Sequence, residues 1–435
     1  MTTRGWEQFG LQPVPEDRKT STAWDFMRMQ TVINVNAGNM LVPALAVLEG
    51  GLSFLQAVWV TLLGSAAAYI FVSLLSLAGS RQGIPGQFAL RSMLGRMGAV
   101  LFASPLRTVT SLYWFGVQAL GGAYFLHTFL TRAGASIPFP LLSFLLALLM
   151  VITALVGFEA MKRFSAYFMP VLALGTVAMF FVFFYSGTAA EVTAAGSPDP
   201  AWHVMVFFAS LAFVQYVSGV TSSSDLARYA VSPAQGFWGL FAGNVTGYFL
   251  TAVLGAWTAA AAGDWNAFLI TAEMNIHPLL TGVIASAAVG SMFIINVNNA
   301  YTGGYSLLNS VPALGRMRAA CLFGAAAIAV SLMPQLVEEA ESFISGLGTL
   351  VIPLTAVVCA EFLIRHKTWL QPADRAWNFA ACASIGTGAV VYMLLPQQAA
   401  PGFTVFFLSF VMQAGWIIFR QKENRIQQQF NQKEG

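Results

Sequence analysis

Twelve stretches of this 435-residue chain are apolar and close to, or longer than, the roughly 20 residues that an α-helix needs to cross about 30 Å of hydrocarbon. They fall at 26–48, 52–78, 97–129, 138–157, 163–187, 202–230, 235–262, 280–310, 317–333, 340–362, 374–396 and 400–421. Little chain is left over for a separate soluble domain. Charged residues make up only 9% of the sequence, against about 25% in soluble domains. In lipid every backbone N–H and C=O must find a partner inside the segment, so the expected class is an all-α integral membrane protein. The expected layout is a polar segment 1–25, a transport core 26–362 in two halves (26–187 and 202–362), two added spans in 374–421, and a tail 422–435. The opening MTTRGWEQFGLQPVPEDRKT has no apolar core, so no cleaved secretory signal is expected.

Orientation follows from where Lys and Arg fall, because these residues concentrate in cytoplasmic loops. With a cytoplasmic N-terminus, 19 of the 21 basic residues lie on inner segments, from Arg4, Arg18, Lys19 and Arg28 through Arg81, Arg91 and Arg96 to Arg420, Lys422, Arg425 and Lys433. Arg132 alone falls on an outer loop, and Arg107 lies within the third span. Outer loops instead carry Glu191, Asp199, Asp264, Glu273, Glu338, Glu339 and Glu341. Both termini are therefore expected in the cytoplasm. The net charge of +3 is a consequence of this rule and gives no reason to expect a nucleic-acid partner. Cys321, Cys359 and Cys382 lie in spans without metal-ligand spacing and are expected to pack as small apolar residues.

Two spans are expected to be interrupted. The first contains TVINVNAGNMLVPALAV, with Asn34, Asn36, Gly38 and Asn39 mid-span; the sixth contains LAFVQYVSGVTSSSDLARYA, with Gln215, Tyr216, Ser218 and Gly219. Non-helical backbone at membrane depth is tolerated only where it is buried in protein or lines a cavity. Spans one and six are the first members of two sets of five that enter the membrane from opposite sides. That pattern suits an inverted-repeat transporter with its site at the midplane.

The residues near that depth share one chemistry. On the third span, Trp114 and Gln118 are four apart and so lie on one helix face. Gln215 and Tyr216 sit at the sixth-span break, and Asn296, Asn298 and Asn299 on the eighth span. Spans 1, 3, 6 and 8 hold no charged side chain near mid-depth; Asp225 and Arg228, three apart toward the inner end of span six, are expected to form an ion pair at the inner surface. Amides and aromatic faces without charge suit a flat, neutral solute with mixed donors and acceptors.

Four motifs carry a resemblance to the nucleobase–cation symporters, the family of cytosine permeases and hydantoin transporters. LQPVPEDRK at 11–19 resembles their PVP-x-x-x-RK lead-in, and YWFGVQALGG at 113–122 their WFG-x-Q stretch. SSSDLARYA at 222–230 resembles the Asp-Phe-x-Arg-Tyr close of the sixth span, with Leu226 in place of Phe, and NVNNAY at 296–301 the Asn-rich eighth span. The resemblance implies twelve transmembrane helices: a 5+5 inverted-repeat (LeuT-like) fold with helices 1 and 6 broken, plus two more, in a bacterial-type inner membrane. It also implies roles. Trp114 would stack on one face of a base and Gln118 would bond its edge; Tyr216 would stack on the other face beside Gln215. Asn298 or Asn299 would complete the hydrogen bonding, with Gly38 and Asn39 at the break of span one.

The resemblance implies, from those family members that are sodium symporters, an ion between that break and hydroxyls of span eight. Here Ile295 and Asn296 stand where cytosine permeases have two threonines, so Ala37, Gly38 and Asn296 are the oxygen ligands expected. Coupling to Na+ or to H+ both remain open; Glu49, Glu159 and Glu361 all fall near span ends, as gate or surface residues. The expected mechanism has spans 1, 2, 6 and 7 rocking against spans 3, 4, 8 and 9, with span five or ten as a thin gate; the Gly and Pro of GLGTLVIPL suit a bending tenth span. No cofactor and no obligate protein partner are expected beyond the solute, the ion and the bilayer. The alternative solute on the same fold is an amino acid or amine. An enzyme is not expected, because no HExxH and no cluster of His or Cys is present.

Overall fold

A computed structural model describes residues 7, 9–132, 134–186, 192, 200–274, 276–338, 340–365 and 375–434. Arg4, Glu191, Asp199, Glu339, His366 and Lys367, with the end of the fifth stretch at 187 and the start of the eleventh at 374, lie outside the described residues. Among the described residues the chain is helical, apart from one isolated bridge between Ser21 and Ala230.

Local chemistry sets the helix ends. Helix α1 (Ala23–Asn34) opens on a reciprocal cap: Asp25 N donates to Thr22 Oγ1 at 3.4 Å and Thr22 N to Asp25 Oδ2 at 2.9 Å. Helix α2 (Ala37–Leu48) restarts from Asn36, whose Oδ1 accepts from Asn39 N, and the axis turns by 62° between the two. Helix α3 (Phe54–Gln82) is capped by Ser53 and Gln56 and stops at Gly83, whose φ of 68° favours glycine. A short α4 (Gly86–Leu94) follows, then α5 (Ser104–Arg132), α6 (Phe139–Val156) and α7 (Phe158–Tyr185). The second break separates α8 (Trp202–Val217) from α9 (Val220–Ala227), with a turn of 41°. Next come α10 (Pro233–Ala262), α11 (Ala267–Glu273), α12 (Pro278–Ser310), α13 (Gly315–Val330), α14 (Ala340–Ile364), α15 (Phe379–Leu394) and α16 (Pro401–Glu434).

Among the described residues eight helices are long and apolar enough to cross a membrane alone, and the count reaches ten when each bent pair is one span. The 29-residue α5 and the 16-residue α15 occupy the remaining two of the twelve stretches. Some extents differ from expectation. The third-span helix begins at Ser104, after a π-helical turn over Ala99–Ala103; α16 continues as helix to Glu434; and α4 lies between the second and third stretches. Helix α14 runs through Gly346, Gly348 and Pro353 without interruption.

Spans 1, 2, 6 and 7 make one bundle: α3 packs on α8, α9 and α10, and α10 packs on α1 and α2. A second layer forms around α12, which packs on α5, α6, α7 and α13. Helices α14, α15 and α16 pack together at the side, with α16 against α8. Glycine lets spans 1 and 7 come close. A Cβ at Gly239 would lie 2.5 Å from the Ala23 carbonyl oxygen, and one at Gly243 2.5 Å from that of Met27; Gly247 and Gly255 continue the same ridge. Backbone-to-backbone approach of this kind replaces the hydrophobic drive that lipid does not supply.

Candidate functional site

The break in span one frees carbonyls that a helix would have used, and side chains take them up. Asn36 Nδ2 donates to Ile33 O at 2.8 Å; Asn39 Nδ2 and Thr251 Oγ1 donate to Asn34 O at 2.9 and 2.8 Å. The Asn34 amide is fixed in turn. Its Nδ2 donates to Asn244 Oδ1 at 2.7 Å, and its Oδ1 accepts from Tyr69 OH at 2.8 Å. These bonds tie the break to spans 2 and 7, so the non-helical turn is a rigid part of the bundle. Asn244 could have been found in the sequence as an isolated amide in a span of small and apolar residues; Tyr69 and Thr251 carry no such signal.

Two glutamines reach this turn from different helices. Gln118 Nε2 on α5 donates to Asn36 Oδ1 at 3.0 Å, crossing from the second layer to the bundle. Gln215 Nε2 at the end of α8 lies 3.3 Å from Asn39 Oδ1 and 3.4 Å from Gly38 O. Gly38 sits between them, since a Cβ there would stand 2.8 Å from Gln118 Nε2. Of the residues expected from sequence, the structure thus joins Gln118, Gly38, Asn39 and Gln215, with Asn36 as a link that was quoted in the break but not expected at the site.

Trp114 lies one turn before Gln118 and meets Tyr113 edge-on at 5.4 Å. The Tyr216 ring is 4.9 Å from Tyr69 and 5.0 Å from Tyr248, both deeply buried in the bundle. Gly38, Trp114, Gln215 and Tyr216 are half-buried, although Ala37, Asn39, Phe115 and Val217 beside them are buried. On α12, Asn296 Nδ2 donates to Phe115 O at 2.9 Å and Asn299 Nδ2 to Asn296 Oδ1 at 3.2 Å. Asn296 Oδ1 thus accepts one hydrogen bond within the second layer and has a second lone pair left. Gln215 Oε1 and Asn298 Oδ1 are buried acceptors without a partner among the described residues. No charged side chain hydrogen-bonds at the break, and no group of His, Cys, Asp or Glu that could hold a metal exists among the described residues.

Toward the end where the basic residues gather, a small cavity of about 30 Å³ lies next to the sixth-span break, lined by Arg107, Thr110, Ser218 and Thr221 among others. Beyond it the polar N-terminal segment closes the structure. Glu7 accepts from Tyr301 OH at 2.9 Å, from Tyr305 OH, and from Phe158 N at 2.9 Å. Gly10 O and Gln12 O accept from Arg228 at 3.3 and 3.1 Å, and Val14 N donates to Gly83 O at 2.9 Å. One strap thus joins α7 and α12 of the second layer to α3 and the end of span six in the bundle. The expected ion pair of Asp225 with Arg228 is not formed. Asp225 Oδ1 instead accepts from Gly86 N at 2.7 Å, at the N-terminus of α4, where the helix dipole favours a carboxylate, and Arg228 binds the strap carbonyls and stacks over Tyr305. Spacing along one helix pointed to a pair; both partners are supplied by remote chain. Glu7 gave no sequence signal beyond lying in the polar lead-in.

A hydantoin permease of Microbacterium maritypicum is 21% identical to this chain over 448 residues, covering 92% of it and 87% of the relative. Mhp1, a nucleobase-cation-symport-1 family transporter in a closed conformation with bromovinylhydantoin bound, superposes with a TM-score of 0.80 at 16% identity, over 95% of this chain and 96% of that one. A substrate-bound, outward-open Na+-coupled sialic acid symporter gives a TM-score of 0.63 at 14% identity, over 92% and 90% of the two chains. The fold is therefore the 5+5 inverted repeat with broken first and sixth spans. The family of permeases for cytosine and purines, uracil, thiamine and allantoin matches residues 13–418, and this chain belongs to it, as a multi-pass membrane transporter and not an enzyme.

Proposed function

We propose that the protein imports a neutral planar heterocycle, a nucleobase or a related pyrimidine, purine or hydantoin, by alternating access. The observation that carries this reading is the meeting of the Gln118 and Gln215 amides at the span-one turn, with no charged side chain hydrogen-bonded there among the described residues. An amide offers a donor and an acceptor in one plane, which matches the edge of such a ring. Trp114 stacks on one face and Tyr216 on the other, while the buried acceptor of Asn298 and the neighbouring Asn299 serve the far edge. Gly38 and Asn39 present backbone and amide at the turn. The description of the matched family and the hydantoin permease relative support this solute class.

The bundle of spans 1, 2, 6 and 7 moves against the second layer, and the Gln118–Asn36 bond spans the divide at the site itself. Solute binding then couples directly to the relative position of the two bodies. The strap of Glu7 and Arg228 closes the face carrying the basic residues, which is the cytoplasmic face of an inner membrane by the positive-inside rule. Influx is driven by Na+ or H+, with the Ala37 and Gly38 carbonyls and Asn296 Oδ1, which keeps a second lone pair beside its bond from Asn299, as ion ligands. The core 26–362 carries transport, and the two added spans flank it.

Uptake of labelled cytosine, uracil and hydantoin into proteoliposomes, under an inward Na+ gradient or an inward pH gradient, tests the reading. Uptake of one heterocycle driven by one gradient is expected. Uptake of an amino acid or amine in place of every heterocycle would overturn it.

A further inference from the structure

At the basic ends of α14, α15 and α16, a cavity of about 210 Å³ shares no lining residue with the transport site. Glu361, expected from sequence to be a gate or surface residue, is instead only 2% exposed on its wall. Its Oε1 accepts from Asn378 Nδ2 at 2.7 Å and from Gln413 Nε2 at 2.6 Å; its Oε2 accepts from Arg365 at 2.8 Å and lies 3.7 Å from Arg375. That carboxylate is saturated and offsets one positive charge. Three guanidiniums line the cavity: Arg365, Arg375 and Arg420. Arg420, on the opposite wall, has no ion pair or hydrogen bond among the described residues. Among the described residues the lining carries one carboxylate against these three guanidiniums.

The positive-inside rule explains arginines at these helix ends, but it sends each one out to water or headgroups. Here three converge on one polar cavity around a carboxylate held by three hydrogen bonds, and Trp416, a residue type of the membrane interface, stands on the wall. Guanidinium forks match the oxygens of phosphate in geometry and charge.

We propose that this cavity binds an anionic phosphate, carried by a lipid headgroup or free in solution, wedged between the two added spans and span ten. The full chain in detergent is titrated with phosphatidylglycerol, phosphatidylcholine and inorganic phosphate, read by thermal stability and by native mass spectrometry. Phosphatidylglycerol is expected to raise Tm by a few degrees above phosphatidylcholine. Arg420→Gln, at an exposed position that folding does not need, is expected to weaken its binding about tenfold. Arg425→Gln, on the same helix but outside the cavity, is expected to leave binding unchanged. Equal protection by inorganic phosphate assigns the occupant to solution and supports the site; protection by the anionic lipid alone assigns it to the bilayer. The proposal is overturned if neither probe protects, if Arg420→Gln binds like the wild type, or if Arg425→Gln loses as much as Arg420→Gln.

Discussion

Replacing Gly38 by alanine sets a gain in backbone order against a lost hydrogen bond at the site. The new Cβ would stand 2.8 Å from Gln118 Nε2 and 3.4 Å from Asn36 Oδ1, so the Gln118 amide must swing away and its 3.0 Å bond to Asn36 is lost. A net hydrogen bond contributes about 0.5–1.5 kcal/mol. Alanine in the first turn of α2 returns about 0.5–1 kcal/mol, because glycine loses more backbone freedom on folding. The two nearly cancel, and the ligand-free variant should stay within about 1 kcal/mol of the wild type. Binding has no such compensation. The displaced amide no longer faces the solute edge, and affinity should fall at least about tenfold. Thermal denaturation without ligand and across a titration of the recognised heterocycle separates the two effects. Wild-type affinity in Gly38→Ala would refute the placement of Gln118 at the site, and a ligand-free loss above about 2 kcal/mol would mean that the turn itself had collapsed.

Other perturbations test the frame around the site. Glu7→Ala removes the acceptor shared by Tyr301, Tyr305 and Phe158 N, each such bond to a charged group being worth about 1.5–3 kcal/mol. The strap should then open more often and labelling of a Thr221→Cys variant by a thiol reagent added from the basic face should rise; unchanged labelling would mean that the strap does not govern access. Gly243→Leu drives a side chain into the Met27 carbonyl of span one and should cost about 1–3 kcal/mol or abolish folding, whereas the same change at Gly386, where a Cβ meets nothing, should be tolerated. Equal stability of those two variants would count against the glycine ridge.

Sequence patterns carried the spans and both breaks because lipid imposes them locally: long apolar runs make helices, and a cluster such as Asn34, Asn36, Gly38 and Asn39 makes no sense inside one unless the backbone turns there. The amides were legible for the same reason, as costly groups in an apolar setting. Their partners were not. Asn36 serves both as the cap of α2 and as the acceptor for Gln118, a pairing fixed by two helices meeting across 82 residues of chain. Asp225 and Arg228 were misread because helical spacing says which residues share a face and nothing about remote groups such as Gly86 N or the Gly10 carbonyl. Glu7 was invisible, since a lone carboxylate in a polar lead-in looks solvated until Tyr301 and Tyr305 are found beneath it.

The most direct measurement is thermal stability of the purified wild type and of Trp114→Ala against a panel of pyrimidines, purines, hydantoins, allantoin and amino acids, each with and without Na+. A ligand that binds only the folded state stabilises it by mass action. The account predicts that at least one neutral planar heterocycle stabilises the wild type and that Trp114→Ala, which loses a stacking face worth about 1–3 kcal/mol, loses most of that shift. Stabilisation by amino acids alone, or a heterocycle shift undiminished in Trp114→Ala, would contradict it.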